Sequence, residues 1–186
     1  MAIVSEEIPC NFVGEFKVGD NLVFNAGLLR SLVDANNDGT FNKLIVLQAG
    51  AIVEAALGQI IYRAKNHTRE GVPEMSEEDR SAIEGKKADN FNNIIGVMKK
   101  HKLLDELGAD IYDELHKLRK YRNKVHIYLN IEIEGVSKDE GIAFSKDICN
   151  WALKLNVRIL KYLSNKRPRP KELHQYVSSL VVPNPA

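Results

Sequence analysis

Apolar residues recur at steps of three and four along most of this chain, which is the spacing that places them on one face of an α-helix. Polar stretches rich in Asn, Asp and Gly separate these runs and mark turns. The pattern predicts six helices. The first starts at Leu22, the second spans 41–65, and the third starts at Ser76 and stops at Gly85. The fourth spans 88–100, the fifth runs from Gly108 through "HKLRKYRNKVHIY" (116–128), and the sixth runs from Ser137 to Leu163. This order predicts an all-α fold, an up-and-down bundle of about four to six helices with short extended segments outside it.

The two ends of the chain lack this helical periodicity. Residues 1–21 alternate apolar and polar positions in "NFVGEFKVGD" and predict an extended arm. Residues 164–186 are rich in proline and in basic side chains, so we predict a flexible tail with one short helix over 171–180. The helical-bundle domain is therefore expected at residues 22–163.

The composition is that of an ordinary globular chain and limits the classes of partner. The 186 residues suit one domain, and the formal net charge of +1 excludes a broadly basic nucleic-acid-binding surface. Cys10 and Cys149 form no CxxC motif and no signal-peptide pattern opens the chain, so we expect a cytoplasmic protein. The most apolar window, 44–62, is interrupted by Gln48, Glu54 and Gln59, which favours a buried helix over a membrane span.

Two patterns resemble metal sites without completing one. Asp34, Asn36, Asp38 and Gly39 match early positions of the EF-hand calcium loop, yet Ile45 stands where that loop needs a bidentate Glu. The histidines show no HxxxH spacing and no spacing to Cys that suits zinc. We therefore predict neither a metal nor any other cofactor.

The predicted helix over 116–128 carries polar groups along the edge of its apolar face. On a helical wheel centred on Leu118, Val125 falls within about 60° of the centre and belongs to the core face. Four residues share one edge of that face, at about 40° for Arg122, 80° for His126, 100° for Arg119 and 140° for Asn123. The opposite side, at about 200–260°, holds Lys117, Lys120 and Lys124.

Arginine and histidine at one edge suit phosphate chemistry. The guanidinium group is a planar fork that binds two phosphate oxygens, and imidazole exchanges a proton near neutral pH. The alternative is a solvated edge, in which Arg119 and Arg122 pair with nearby acids and His126 only flanks the core. Glu54 is either exposed or paired with one of these arginines, because an unpaired buried carboxylate is costly.

The stretch "LRKYRNKVHIY" resembles the signature of the HEPN superfamily, in which an Arg, often followed by a polar residue, precedes a His by four to six residues. Arg119 and His126 match the six-residue spacing, whereas Arg122 and Asn123 match the pair of Arg and polar residue. The motif arginine is therefore one of these two. The ending "HIY" is similar to the His-x-Tyr of HEPN toxins paired with minimal nucleotidyltransferase antitoxins, in which the Tyr, here Tyr128, can be modified.

The resemblance implies a metal-independent endoribonuclease that acts as a homodimer, with both copies of this helix lining one cleft. In that role His126 is general acid or base, Arg119 and Arg122 hold the scissile phosphate, and Asn123 orients the phosphate or His126. "LQAGAIVEAAL" (47–57) also resembles an earlier core helix of the family, which makes Glu54 a supporting residue. The product is a 2′,3′-cyclic phosphate, and the partners of such a toxin or defence protein are RNA and an antitoxin. The competing hypothesis is an inactive HEPN-like module that binds RNA, a nucleotide or a protein.

Overall fold

The computed structural model describes residues 3–67, 70, 72–73, 75–85, 90–126 and 131–185, and these are mostly helical with one small antiparallel sheet. The elements in chain order are β1 (Ile3–Pro9), α1 (Phe16–Ala35), α2 (Asn42–Asn66), α3 (Glu77–Glu84), α4 (Phe91–Lys100), a 3-10 turn (Asp105–Leu107), α5 (Ile111–Asn123), α6 (Glu140–Ala143), α7 (Lys146–Lys166), a second 3-10 turn (Lys171–Tyr176) and β2 (Ser179–Pro185). The prediction of a helical fold is confirmed, but the fold is not purely all-α.

The long helix α2 is the centre of the core. It packs against α1, α5 and α7 along its length and also contacts α3 and α4. By length and composition α2 could cross a membrane, but 61% of its most apolar window is buried inside the protein. The polar residue Gln59, which interrupts that window, is itself buried and accepts hydrogen bonds from the amides of Gly14 (3.0 Å) and Glu15 (2.9 Å). These bonds hold the two residues before α1 against α2, and α1 begins directly after them at Phe16, inside the predicted arm.

The sheet joins the two ends of the chain and is the part of the fold that the helical prediction missed. Strands β1 and β2 are antiparallel, with Ile3 opposite Pro185 and Pro9 opposite Ser179. Leu180 of β2 is fully buried, and β2 packs against α1 and α7. The two strands are short and lie at opposite ends of the sequence, so the sequence of one strand does not indicate the segment with which it pairs.

Two buried arginines hold the segment after α7 against the domain. Arg63 on α2 is 0% exposed and donates to the main-chain carbonyls of Phe12 (3.4 Å), Pro168 (3.2 Å) and Arg167. Arg167 is also buried and donates to the carbonyl of Leu103 at 3.0 Å. Burial lowers the pKa of Arg63 to about 10, so it still carries its charge at neutral pH.

A third buried arginine, Arg169, pairs with Glu70 through its Nε at 2.8 Å and donates to the carbonyl of Gly14 at 3.1 Å. We call Arg63, Glu70, Arg167 and Arg169 the terminal clasp. The segment 164–186, predicted as a flexible basic tail, is therefore folded over its described part, with a 3-10 turn and a strand instead of a helix over 171–180. Its arginines bind carbonyls and a carboxylate of the domain, which a count of basic residues cannot reveal.

Two helix boundaries differ from the prediction near the candidate site. Helix α5 ends at Asn123, because the amides of Lys124 and Val125 bond to carbonyls only three residues back, at 3.0 and 3.3 Å. The long helix α7 starts after Ser145, whose hydroxyl accepts from the amide of Ile148 at 3.4 Å, and not at Ser137.

Candidate functional site

Arg122 lies near the C-terminal end of α5, where this helix packs closely on α2. The close approach depends on Gly50 of α2, since a Cβ added there would lie 3.1 Å from Cβ and 3.3 Å from Cγ of Arg122. Glycine has no Cβ and so permits such an approach. The small residue therefore sets the distance between the arginine backbone and the central helix.

The guanidinium of Arg122 pairs with Glu54, one helical turn along α2 from Gly50. The distance from Nη2 to Oε2 is 2.6 Å, and the side chains are 38% and 18% exposed. Nη1 also contacts Oδ1 of Asn123 at 3.4 Å. Of the two arginines that the sequence left open as partners of Glu54, the structure selects Arg122. The carboxylate fixes the orientation of a guanidinium that still reaches solvent.

His126 lies beyond the end of α5 and is exposed, which differs from its predicted place on the helix. Its amide bonds to the carbonyl of Asn123 at 3.3 Å, and none of the described residues hydrogen-bonds to its ring. Because the chain turns after Asn123, the wheel positions are wrong for the residues that follow. Val125, predicted in the core, is 52% exposed, and Lys124, predicted in solvent, is 7% exposed. We call Arg122, Asn123 and His126 the α5 edge.

An open apolar groove of about 650 Å³ runs beside the α5 edge. Arg122, Val125 and His126 form one wall, and α1 and α2 form the other. The residues from these two helices are mostly apolar: Leu28, Leu32, Leu44, Leu47, Gln48 and Ala51. Phe24 lies one turn before Leu28 on α1 and is 73% exposed. A candidate phosphate-binding pair therefore borders an uncovered apolar surface.

This apolar surface is the part of the site that the sequence reasoning missed, although α1 contains the signal for it. Leu22, Ala26, Leu29 and Val33 form the buried stripe of α1. Phe24 and Leu28 form a second apolar stripe on the exposed side. A helix that needs only one apolar face does not require the second stripe, which indicates a further contact.

Arg119 does not line the groove and is thus separated from the rest of the predicted cluster. It is half-buried, and its Nε is buried with no hydrogen-bond partner in the described part of the chain. Its positive charge lies close enough to His116 to disfavour protonation of that ring. The pKa of His116 is lowered chiefly by burial and then by the positive charges of Arg119 and Lys99. The structure therefore brings Arg122, Asn123 and His126 together and leaves Arg119 on a neighbouring face. Tyr128, the remaining candidate, lies outside the described residues.

The turn over 34–39 that resembles a calcium loop has a structural use. Oδ1 of Asp38 accepts from the amide of Thr40 at 2.9 Å, and Oδ1 of Asn36 accepts from the amide of Phe41 at 2.9 Å. Both side chains therefore bond to the main chain just before α2, and the bond of Asp38 to the amide two residues on is an Asx turn.

Comparisons with protein-family models, with curated proteins and with solved structures find no match to this chain. The geometry of the α5 edge and the short motif around it are therefore the features that bear on function.

Proposed function

We propose that this protein is a HEPN-type, metal-independent endoribonuclease that cleaves RNA by attack of a ribose 2′-hydroxyl. The observation that carries the proposal is the pairing of an oriented guanidinium, Arg122 held by Glu54, with the exposed imidazole of His126 on one groove. The resemblance of "LRKYRNKVHIY" to the HEPN signature supports the same assignment. In this proposal Arg122 is the motif arginine.

The proposed reaction needs proton transfer and stabilisation of charge on the phosphate. His126 removes the proton of the 2′-hydroxyl, whose oxygen then bonds to phosphorus while the bond from phosphorus to the 5′-oxygen breaks. Arg122 stabilises the charge that develops on the phosphate oxygens, and Asn123 orients the phosphate. A proton donated to the leaving 5′-oxygen completes the step, giving a 2′,3′-cyclic phosphate and a 5′-hydroxyl.

The same proposal includes a homodimer with a composite cleft. One subunit brings one histidine to the groove, whereas the reaction needs both a base and an acid. A second copy docked on the apolar groove would bring a second His126 across the cleft. It would also cover Phe24, Leu28 and Val125, whose exposure to water is unfavourable in an isolated subunit.

We further propose that the enzyme works in the cytoplasm as a toxin or defence protein controlled by an antitoxin, in line with the resemblance. Cys10 and Cys149 are both buried free thiols, which suits a reducing compartment. A nucleotidyltransferase-type antitoxin that modifies Tyr128 is the partner that the "HIY" ending favours.

One observation favours a second candidate function, an inactive HEPN-like module that binds RNA, a nucleotide or a protein. Arg122 already has a carboxylate partner 2.6 Å away, which competes with phosphate for its charge. If that ion pair persists when RNA binds, the arginine holds the fold together and does not stabilise a transition state.

RNA cleavage by the purified protein in EDTA separates the two candidates. We expect His126→Ala to reduce cleavage by about 10²–10⁴-fold, the usual contribution of a general acid or base. His174 is the matched control, because its ring bonds to the carbonyl of Arg169 far from α5 along the chain. His174→Ala should keep cleavage. Equal cleavage by wild type and His126→Ala, with unchanged melting temperatures, would contradict the proposal.

A charge placed in the groove tests the composite cleft. Val125→Glu should give monomers in light scattering and lose cleavage, because the buried interface would then contain an unpaired carboxylate. Ile142→Glu is the matched control, since Ile142 is 67% exposed on α6 and does not line the groove. A Val125→Glu protein that stays dimeric and active would rule out this dimer face.

A further inference from the structure

Arg119 differs from the other arginines that the protein shields from solvent. Most cations of the described chain that are half-buried or buried bind a carboxylate or a carbonyl, as Arg158 does with Glu114 and Arg169 with Glu70. Among the described arginines that are not fully exposed, Arg119 alone has no hydrogen bond or ion pair. Partial burial of a charge without a partner is unfavourable, so this arginine points to an anion that binds from outside.

The surroundings of Arg119 are also basic. The last two residues of α4, Lys99 and Lys100, and Lys102, two residues beyond the helix, are exposed. Helix α4 packs against α5, where the charges of Lys99 and Arg119 both act on His116. None of these side chains has a carboxylate partner in the described residues. We call the following set the basic face: Lys99, Lys100, Lys102, His116 and Arg119.

Two acids that follow Lys102 closely in the sequence already have partners. Glu106 pairs with Lys166 of α7 at 2.9 Å, and Asp105 accepts a hydrogen bond from Tyr112 at 2.6 Å. Asp113 is the one carboxylate that raises the pKa of His116, and its effect is smaller than that of burial or of Arg119. Lys99, Lys100, Lys102 and Arg119 therefore have no carboxylate partner among the described residues, on a chain whose formal net charge is only +1.

The basic face stands on a rigid joint between the two helices. The hydroxyl of Tyr112 on α5 donates its one proton to Asp105 and accepts from the amide of Leu104 at 3.3 Å, and its oxygen lies 3.2 Å from the carbonyl oxygen of Met98. Lys102 has a positive φ of 53°, the one such value among the described residues other than glycine. Tyr112 therefore fixes the backbone of the turn after α4 against α5.

We propose that the basic face binds the phosphate backbone of single-stranded RNA and guides the strand to the α5 edge. This inference rests on the proposed ribonuclease function, whose substrate it places on the enzyme. Arg119 and Arg122 are three residues apart on α5, which puts their Cβ atoms about 5–6 Å from each other. Arg119 then binds a phosphate next to the scissile one and does not touch the reacting atoms.

Binding of a fluorescein-labelled, mixed-sequence single-stranded RNA tests the proposal. Full-length protein carrying His126→Ala serves as the background, so that cleavage does not disturb the measurement. We expect the added pair Lys99→Gln and Lys100→Gln to weaken binding about tenfold and to flatten the plot of log K against log salt by about 1.4, because two phosphate contacts are lost.

The control pair is Lys146→Gln and Lys154→Gln on α7, which removes the same charge from two exposed lysines without ion pairs in the described chain. This pair should leave affinity and salt slope within about twofold of the background. A third variant, Arg119→Gln, should weaken binding while its melting temperature stays near that of the background.

The outcomes separate the two proposals. Equal weakening by the two lysine pairs, or no RNA binding at all, would overturn the inference. RNA binding that depends on Lys99, Lys100 and Arg119 without any cleavage by the wild type would support the basic face and reject the ribonuclease. Cleavage that depends on His126 but not on the basic face would support the ribonuclease and reject the basic face as the RNA-binding surface.

Discussion

Arg63 on the central helix and Arg122 on the helix packed against it lie in opposite environments. Arg63 is fully buried in the terminal clasp and donates to carbonyls of Phe12 and Pro168 at 3.4 and 3.2 Å. Arg122 is 38% exposed and has one carboxylate partner, Glu54. The same side chain therefore joins chain segments at one place and faces a groove at the other.

The difference shows which arginines can bind a ligand. In the clasp, main-chain oxygens already bond to the guanidinium groups, and withdrawing them would leave buried carbonyls unsatisfied. On α5, Arg122 keeps part of its surface free and Arg119 has no partner among the described residues. We therefore expect substitutions in the clasp to change the free energy of unfolding, and substitutions on α5 to change the interaction with RNA.

The largest expected effect is on stability, from removing Arg63. Arg63→Ala leaves several buried carbonyls without a donor, at about 1–3 kcal/mol each, so we expect the free energy of unfolding to fall by at least about 3 kcal/mol. Arg119→Gln is the comparison and should cost less than about 1 kcal/mol, because no hydrogen bond is lost. Urea unfolding followed by circular dichroism measures both, and similar losses in the two variants would contradict the distinction.

Two glycines, one beside Arg63 and one beside Arg122, extend the comparison with smaller expected effects on stability. An added Cβ at Gly14 would lie 2.7 Å from Cγ of Arg63 and 2.7 Å from Cδ1 of Tyr62, so Gly14→Ala should cost about 1–3 kcal/mol through overpacking. At Gly50 the nearest atom is Cβ of Arg122 at 3.1 Å. Alanine also favours the helix there, by about 1 kcal/mol, so the net change in stability should be small.

The effect of Gly50→Ala should instead appear in RNA cleavage. A shift of Arg122 by a few tenths of an ångström should slow cleavage about tenfold, since a misplacement of 1 Å can cost about 10²-fold. We therefore expect Gly14→Ala to lower the melting temperature and Gly50→Ala to slow cleavage. Thermal melting and a cleavage assay on both variants test this contrast. Loss of stability in Gly50→Ala without loss of cleavage would reject the positioning role of Gly50.

The helical part of the fold could be predicted from periodicity, because each helix shows its apolar face within a few turns. The sheet could not, since β1 and β2 pair across the whole length of the chain. The burial of Arg167 and Arg169 was missed for the same reason: their partners, Leu103 and Gly14, are distant in sequence.

The candidate site was predicted in part. The pairing of Glu54 with an arginine is one of two alternatives that the sequence leaves open, and the structure decides for the pairing and selects Arg122. The wheel failed for His126 because it assumes a continuous helix, whereas α5 ends at Asn123. It also placed Arg119 in the same cluster, although this side chain lies on the face of His116.

The smallest expected effect is a pH dependence of the terminal clasp. Hydrogen bonds from Arg169 hold the pKa of Glu70 below its ordinary value of 4.5. A lowered pKa means that Glu70 stabilises the folded state above pH 4.5 and loses this effect as the pH falls through that value towards the lowered pKa. The stability difference between wild type and Glu70→Gln should therefore shrink below pH 4.5.

Glu132→Gln provides the control for this titration. Glu132 is 74% exposed and lies 3.4 Å from Lys138, a surface pair that contributes little to stability. Its difference from wild type should stay small at every pH. A gap between Glu70→Gln and wild type that widens in acid would contradict the assignment of the clasp.

The chemistry of the RNA ends is the most direct test of the claim that the α5 edge is a catalytic site. Wild-type protein in EDTA should produce fragments with 2′,3′-cyclic phosphate and 5′-hydroxyl ends, which mass spectrometry distinguishes from 3′-hydroxyl and 5′-phosphate ends. The His126→Ala protein, folded and prepared in the same way, should produce neither. Fragments with 3′-hydroxyl ends, or cyclic phosphates formed equally by His126→Ala, would contradict the role of the α5 edge.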